Sequence, residues 1–232
     1  MEINLHQELL QKVRTYPIPP KALDLLKNNP PLIIAGLAAS GKNTISVDIA
    51  ESSDYRHVIT HTTRPKRHRE KNGQNYWFVS EAGMLKLINE QALIETQAIH
   101  GETVYGTSIA SYEKIIGSNQ RPLLIMDVQG IAQLNKHLPG LKPIFVLPPD
   151  FKTWMERLGN RGFISDVDKM RRLRAARIAL QEALANRHFI MVVNREVPRA
   201  AREILNSLSS GDFAQHQNRE LAQNLIDHLQ AY

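Results

Sequence analysis

The residues best suited to chemistry sit in one short run, Gly36-Leu37-Ala38-Ala39-Ser40-Gly41-Lys42. Glycines let a backbone curl until successive N–H groups converge on phosphate oxygens. A helix N-terminus behind them adds partial positive charge, and the lysine reaches the terminal phosphates. Asn43 and Thr44 follow, offering an amide and a hydroxyl oxygen, hard donors of the kind Mg2+ accepts while keeping much of its hydration shell. Standing alone, the run also describes an ordinary turn with an exposed lysine, so its context decides. A second cluster is Arg64 and Arg67, with Tyr76 and Tyr105 further on. Two guanidinium forks can clamp one dianionic phosphate, with phenol hydroxyls as neutral donors. On charge alone, the basic stretch from Arg64 to Lys71 is equally a solvated loop or a nucleic-acid patch.

A phosphate loop needs a buried strand before it and a helix behind it. Leu32-Ile33-Ile34-Ala35 is a compact, β-branched run of the kind covered on both faces, and similar runs recur at 123–126, 144–147 and 189–193. Helical periodicity appears at about 42–52, 80–90, 108–117, 129–137, 150–159, 166–187 and 197–209. Short apolar strands alternating with helices predict an α/β fold, a three-layer parallel sheet binding ligands at the carboxyl ends of its strands. Residues 54–105 break the alternation, with only Tyr76-Trp77-Phe78-Val79 reading as a strand, and are expected to form an insertion. In residues 1–30, Leu5, Leu9, Leu10 and Val13 recur at helical spacing, prolines interrupt, and a second short helix follows. Residues 211–232 read as a C-terminal helix with Leu221, Leu225, Ile226 and Leu229 on one face. Three uses are open to these terminal helices: packing on the core, self-association into a homo-oligomer, or docking a protein partner.

With 232 residues, 42% of them hydrophobic and 22% charged, the chain can bury an ordinary core as one large domain with appendages. Its apolar runs fall far short of the roughly 20 residues that span a bilayer, so no membrane association is expected. The N-terminus lacks the basic and apolar regions of a secretory signal, and a cytoplasmic enzyme is expected. The absence of cysteine excludes disulfides and thiolate metal sites. A formal net charge of +6 favours phosphate-rich partners, without choosing among nucleotides, nucleic acids and anionic membranes.

The order of further motifs narrows the choice. His61-Thr62-Thr63-Arg64-x-x-Arg67-x-x-Glu70-x-x-Gly73-x-x-Tyr76-Trp77-Phe78-Val79 resembles the nucleoside-monophosphate-binding insertion of guanylate kinases. The likeness continues through Leu93-Ile94-Glu95, Tyr105-Gly106-Thr107-Ser108, Asp127-x-Gln129-Gly130, Leu147-Pro148-Pro149, Arg157-Leu158-x-x-Arg161-Gly162, Arg172 and Val192-Val193-Asn194, covering about Pro31 to Leu208. It implies a P-loop kinase fold, ATP and GMP as partners, Mg2+ with the ATP, and transfer of the γ-phosphoryl group to GMP; a nucleic-acid partner is not expected. In that family's terms the domain is 31–210, with a core of 31–53, 106–150 and 188–210, the GMP-binding insertion at 54–105 and a lid at 151–187.

The resemblance also distributes roles. The run from Gly36 to Thr44 holds ATP, with Lys42 catalytic, Asn43 and Thr44 near the metal, and Asn194 near the adenine ring. Arg64, Arg67, Tyr76 and Tyr105 take the GMP phosphate. Glu95 reads guanine, with Thr60, Thr107 and Asp127 as further base contacts. Arg157, Arg161 and Arg172 belong to the lid, where arginines delivered by closure stabilise charge on the migrating group. Without the resemblance Glu95 is an ordinary exposed carboxylate, and Arg172 shares a helix with Arg171, Arg174 and Arg177 that reads as a solvated basic face.

Three positions depart from the family pattern: Asn43 stands for the hydroxyl residue after the lysine, Ile125 for the first of two strand-end aspartates, and Arg69 for a glycine. Two other readings therefore stay open, a related kinase of ribosyl phosphates and a guanylate-kinase-like binding module with weakened catalysis.

Overall fold

The computed structural model describes residues 4–68, 70–99, 102–160, 165–210 and 215–230. In chain order they form α1 (Leu5–Thr15), α2 (Pro20–Asn28), β1 (Leu32–Gly36), α3 (Lys42–Ser52), β2 (Tyr55–His57), β3 (His61–Thr62), β4 (Trp77–Phe78), α4 (Glu81–Asn89), β5 (Leu93–Ile99) and β6 (Thr103–Ser108). There follow α5 (Ile109–Gly117), β7 (Arg121–Ile125), α6 (Val128–His137), β8 (Ile144–Leu147), α7 (Phe151–Gly159), α8 (Asp166–Ala185), β9 (Ile190–Val193), α9 (Val197–Ser210) and α10 (Gln215–Leu229). Contacts gather them into two compact units, Met1–Pro31 with Arg56–Pro122, and Leu32–Tyr55 with Leu123–Tyr232.

The larger sheet has the order β2-β7-β1-β8-β9, and β1 pairs in parallel with both β7 and β8. Strands β1, β8 and β9 are continuous apolar runs because both faces are covered. Leu32, Ile34, Leu123, Ile144, Val146, Ile190 and Val192 pack against Ile45 and Ile49 of α3 and Ala200, Ala201 and Ile204 of α9. Alternate positions, Ile33, Phe145 and Met191, point the other way and are equally buried. Full burial of each such side chain contributes about 1.5–3 kcal/mol, so the sheet is a rigid floor for the loop that follows β1. Helix α10 packs on α8 and β9 through Ala222, Leu225, Ile226 and Leu229. Arg219 donates to the carbonyls of Leu184 and Asn186 at the end of α8, at 2.9 and 3.2 Å. The ring of His228 stacks on Phe151 at the start of α7, with centroids 4.7 Å apart.

The smaller sheet has the order β4-β3-β6-β5, with β5 and β6 an antiparallel pair and β5 at the edge. Helices α1 and α4 cover it, Leu9 and Val13 meeting Met84, Ile88, Leu93 and Val104. At the other end of α1, His6 Nδ1 lies 2.6 Å from Glu81 Oε1.

Two features differ from the sequence reading. Strands β5 and β6 had no visible signal, because Leu93-Ile94-Glu95-Thr96-Gln97-Ala98-Ile99 neither alternates cleanly nor runs apolar, and β6 contains Gly106. Residues 106–122, assigned above to the core, group instead with the insertion: β6 pairs with β5, and the Tyr112 hydroxyl of α5 donates to Asn29 O at 2.5 Å, just beyond α2. Within its own unit each terminal segment packs on the elements beside it.

Candidate active site

The glycine loop lies between β1 and α3, as its sequence context requires. Gly36 has φ +147° and Gly41 φ +92°, left-handed conformations that side chains rarely adopt. A Cβ on Gly36 would lie 2.5 Å from Val146 O, and one on Gly41 would collide with Asn194 Nδ2. The loop is braced from outside. Trp154 Nε1 donates to Ala38 O at 2.8 Å, and Asn194 Nδ2 donates to Ser40 O at 2.8 Å. Arg157 in turn donates to the Asn194 carbonyl at 3.3 Å, so one network joins α7, the end of β9 and the loop. Lys42 Nζ donates to Leu37 O at 3.2 Å, folding the lysine over the cradle. Among the described residues, two buried oxygens here, Ser40 Oγ and Asn194 Oδ1, have no hydrogen-bond partner, as expected of groups that await a polar ligand.

Asn43 and Thr44 are exposed on the first turn of α3. Ile125, in the place of an acid, packs against the core cluster of the sheet. Asp127 caps α6, its carboxylate accepting from Gly130 N–H at 2.8 Å. Burial, and after it the charge of Asp127, push the Glu182 carboxyl above its ordinary value. Among the described residues no group of three or more His, Asp or Glu stands ready to hold a metal ion. Asn43 and Thr44 offer neutral oxygens, which fit a magnesium ion held mainly by the phosphates of a nucleotide.

Of the arginines expected in a lid, Arg157 lies against the loop network. Arg172 is paired with Asp168 at 2.8 Å, and Arg171 pairs with the same carboxylate at 2.9 Å. Arg161 lies outside the described residues, as does Arg69.

The second cluster is built within the smaller unit. Arg64 grips both oxygens of Glu70, at 2.7 and 2.9 Å, and Glu70 also accepts from the Arg67 backbone N–H at 2.8 Å. The Arg64 guanidinium lies over the rings of Tyr76 and Phe78, 5.4 and 5.6 Å from their centroids. Tyr76 and Tyr105 meet edge to face at 5.8 Å. Desolvation disfavours the Arg64 charge, but the bonds to Glu70 and Tyr105 outweigh it and hold its pKa above the ordinary value. Desolvation likewise pushes Glu70 up, and Arg64 and the Arg67 N–H more than reverse it, leaving Glu70 below its usual range. Burial first, then the neighbouring Tyr105, push the Tyr76 phenol up, so it stays a neutral donor. The Arg67 side chain is exposed. One guanidinium is therefore fixed and the other is at the surface, rather than two forks already converging.

Glu95 sits on β5 opposite Thr107 of β6, and Thr107 donates to Glu95 Oε1 twice, from Oγ1 at 2.7 Å and from N–H at 3.1 Å. The bland reading of Glu95 as an exposed carboxylate fails: it is half-buried and held by a partner that is 2% exposed. Thr60 is half-buried before β3, its carbonyl accepting from Trp77 N–H at 2.9 Å. The structure brings Thr60, Arg64, Arg67, Tyr76, Glu95, Tyr105 and Thr107 into one unit, and the glycine loop, Asp127, Arg157, Arg172 and Asn194 into the other. Sequence reasoning missed two supporting groups. Glu70 was visible three residues beyond Arg67 as a motif letter without a role, whereas Trp154 gave no signal of contact with a carbonyl 116 positions away.

Comparison with known proteins agrees with this architecture. A family model described as guanylate kinase matches residues 28–210. The guanylate kinase of Leifsonia xyli subsp. xyli is 33% identical over 204 residues, 87% of this chain and 78% of that protein. The guanylate kinase of Neisseria gonorrhoeae is 34% identical over 179 residues, 77% of this chain and 86% of its own. In fold, the crystal structure of guanylate kinase from Anaplasma phagocytophilum superposes with a TM-score of 0.62 at 22% identity, covering 81% of this chain and 87% of that one. The chain belongs to the guanylate kinase family.

Proposed function

We propose that this protein transfers the γ-phosphoryl group of ATP to GMP, giving ADP and GDP, and that the residues assembled above perform it. The observation that carries the reading is the Glu95–Thr107 pair. Two donors from Thr107 fix the orientation of the carboxylate, and an ordered carboxylate matches the N1–H and exocyclic amine of guanine. Adenine presents an acceptor at N1 and would oppose the charge, a mismatch that sites of this type exploit about 10⁴-fold or more.

The chemistry needs little beyond positioning and charge. The GMP phosphate oxygen that attacks is already anionic, so no strong base is required. Arg64, oriented by Glu70 and stacked between aromatic rings, with Arg67, Tyr76 and Tyr105, would hold that phosphate. Gly36 to Gly41 would wrap the donor phosphates with backbone N–H groups, with Ser40 Oγ and Asn194 Oδ1 finding partners in the nucleotide. Lys42, Arg157, Arg161 and Arg172 would neutralise the charge that develops on the migrating group. Asn43 and Thr44 would offer oxygens to Mg2+ carried by ATP, which supplies further charge neutralisation when bound. We place the reaction in the cytoplasm; among the described residues no helix is long and apolar enough to cross a membrane.

An ADP-release assay with GMP, AMP, dGMP and CMP tests the proposal, and absence of GMP-dependent turnover removes it. The exposed Asn43 and the apolar setting of Ile125 favour two rivals. Turnover of a ribosyl phosphate by a Glu95→Gln variant would support the kinase rival, and absence of ATP binding by calorimetry would support the binding module.

A further inference from the structure

The strand that carries Glu95 is an edge strand, and its register with β6 shifts between Leu93 and Glu95. A shift of this kind aims the side chains that follow it, and it is maintained only if the backbone groups it leaves at the edge find partners. Here the partner comes from outside the sheet. Tyr16, at the C-terminal end of α1, donates its hydroxyl to Leu93 O at 2.8 Å and accepts from Leu93 N–H at 3.3 Å. One phenol thus occupies both edge-facing groups of the residue where the shift begins, as a neighbouring strand would.

Leu93 is fixed from the other side as well. It is fully buried between Leu9, Val13, Met84 and Ile88, and a Cβ added to Gly106 would lie 2.8 Å from its Cδ1. Gly106 is the residue before Thr107, which holds the Glu95 carboxylate. The Tyr16 hydroxyl, Leu93 and the Glu95–Thr107 pair therefore form one continuous chain of contacts. Burial first, and the Glu95 charge after it, raise the Tyr16 pKa against the opposing Leu93 bond, so the phenol stays neutral and both donates and accepts.

We infer that Tyr16 is a positioning residue for the acceptor base: by pinning the irregular start of β5 it sets the direction of the Glu95 carboxylate and so the affinity for the guanine nucleotide. The inference rests on the proposal that Glu95 reads guanine. It assigns the first thirty residues a part in substrate selection, through a contact spanning 77 positions of sequence. In this inference Tyr16 acts through Leu93 and the Glu95 carboxylate rather than as a group that holds the substrate itself.

The test is steady-state kinetics on the full chain for Tyr16→Phe, Glu95→Gln and the double variant, with thermal unfolding and circular dichroism on each. Phenylalanine keeps the ring against α4 and β5 and deletes only the hydroxyl. The expected result for Tyr16→Phe is a rise in KM for GMP of about three- to tenfold, the worth of one or two neutral hydrogen bonds, with KM for ATP and kcat unchanged. In the Glu95→Gln background the same change should do nothing further to KM for GMP, because the group it aims is gone. A KM for GMP unchanged in Tyr16→Phe overturns the inference. So does a loss spread equally over GMP, ATP and kcat, or one that persists undiminished beside Glu95→Gln, either of which marks a structural role alone. Glu95→Gln read by itself separates the two failures: if it leaves KM for GMP unaltered, the guanine reading falls; if it raises KM while Tyr16→Phe does not, only the role of Tyr16 falls.

Discussion

Replacing Gly41 by alanine is the sharpest perturbation of the donor site. The residue has φ +92°, and a left-handed conformation costs an L-residue about 1–2 kcal/mol. The new methyl also collides with Asn194 Nδ2, which donates to Ser40 O within a buried network. Moving Asn194 breaks that bond and leaves a buried carbonyl unpaired, about 1–3 kcal/mol more. The sum, about 2–5 kcal/mol, should lower the melting temperature by roughly 5–15 °C for a chain of this length. Because the strain lies in the loop itself, ATP affinity measured by calorimetry should fall by more than about tenfold while GMP affinity holds. The control is Gly117→Ala, at the end of α5, where an added Cβ meets nothing within 4 Å and φ is ordinary. There the same substitution should leave stability unchanged or raise it by up to about 1 kcal/mol. Wild-type melting and ATP binding in Gly41→Ala, or equal losses in both variants, would refute the reasoning.

Glu95→Gln should lower kcat/KM for GMP by about 10²- to 10³-fold, because Thr107 would claim the amide oxygen and turn the NH2 toward the donors of guanine; an effect under threefold, read in the ADP-release assay, argues against the site. Trp154→Phe deletes the donor to Ala38 O and leaves a void where the fully buried indole packed, so it should lower the melting temperature and also raise KM for ATP about three- to tenfold with KM for GMP unchanged. Glu70 has its folded-state pKa depressed, so its contribution to stability is fully present above the ordinary carboxylate range and is lost as pH falls through the depressed value. Thermal unfolding across acid pH should show that loss in the wild type and a shallower dependence in Glu70→Gln.

Much of the fold was legible because its signals are local. The run from Leu32 to Ala35 announces a strand covered on both faces, and Gly36 and Gly41 announce a tight turn whose backbone side chains rarely adopt. Leu9, Leu10 and Val13 mark a helix with one apolar face, yet nothing in them names Met84 and Ile88 as the surface they meet. Strand β5 was hidden because an edge strand with a register shift carries no period-two pattern, and its stabilising partner is a phenol just beyond α1, far away in sequence. Arg64 and Arg67 look interchangeable in sequence, but Glu70 is bonded by one guanidinium and only by the backbone N–H of the other. Local spacing gave the residue types; which of them are braced depends on contacts made across the chain.

Helix α10 has a mechanical consequence for the segment from α7 to α8. Its His228 ring rests on Phe151 at one foot of that segment, and its Arg219 ties down the carbonyls of Leu184 and Asn186 at the other. Both feet stand on a single beam, in the manner of a bucket handle. Separating those two ends would require the stacking on Phe151 or the bonds from Arg219 to be given up.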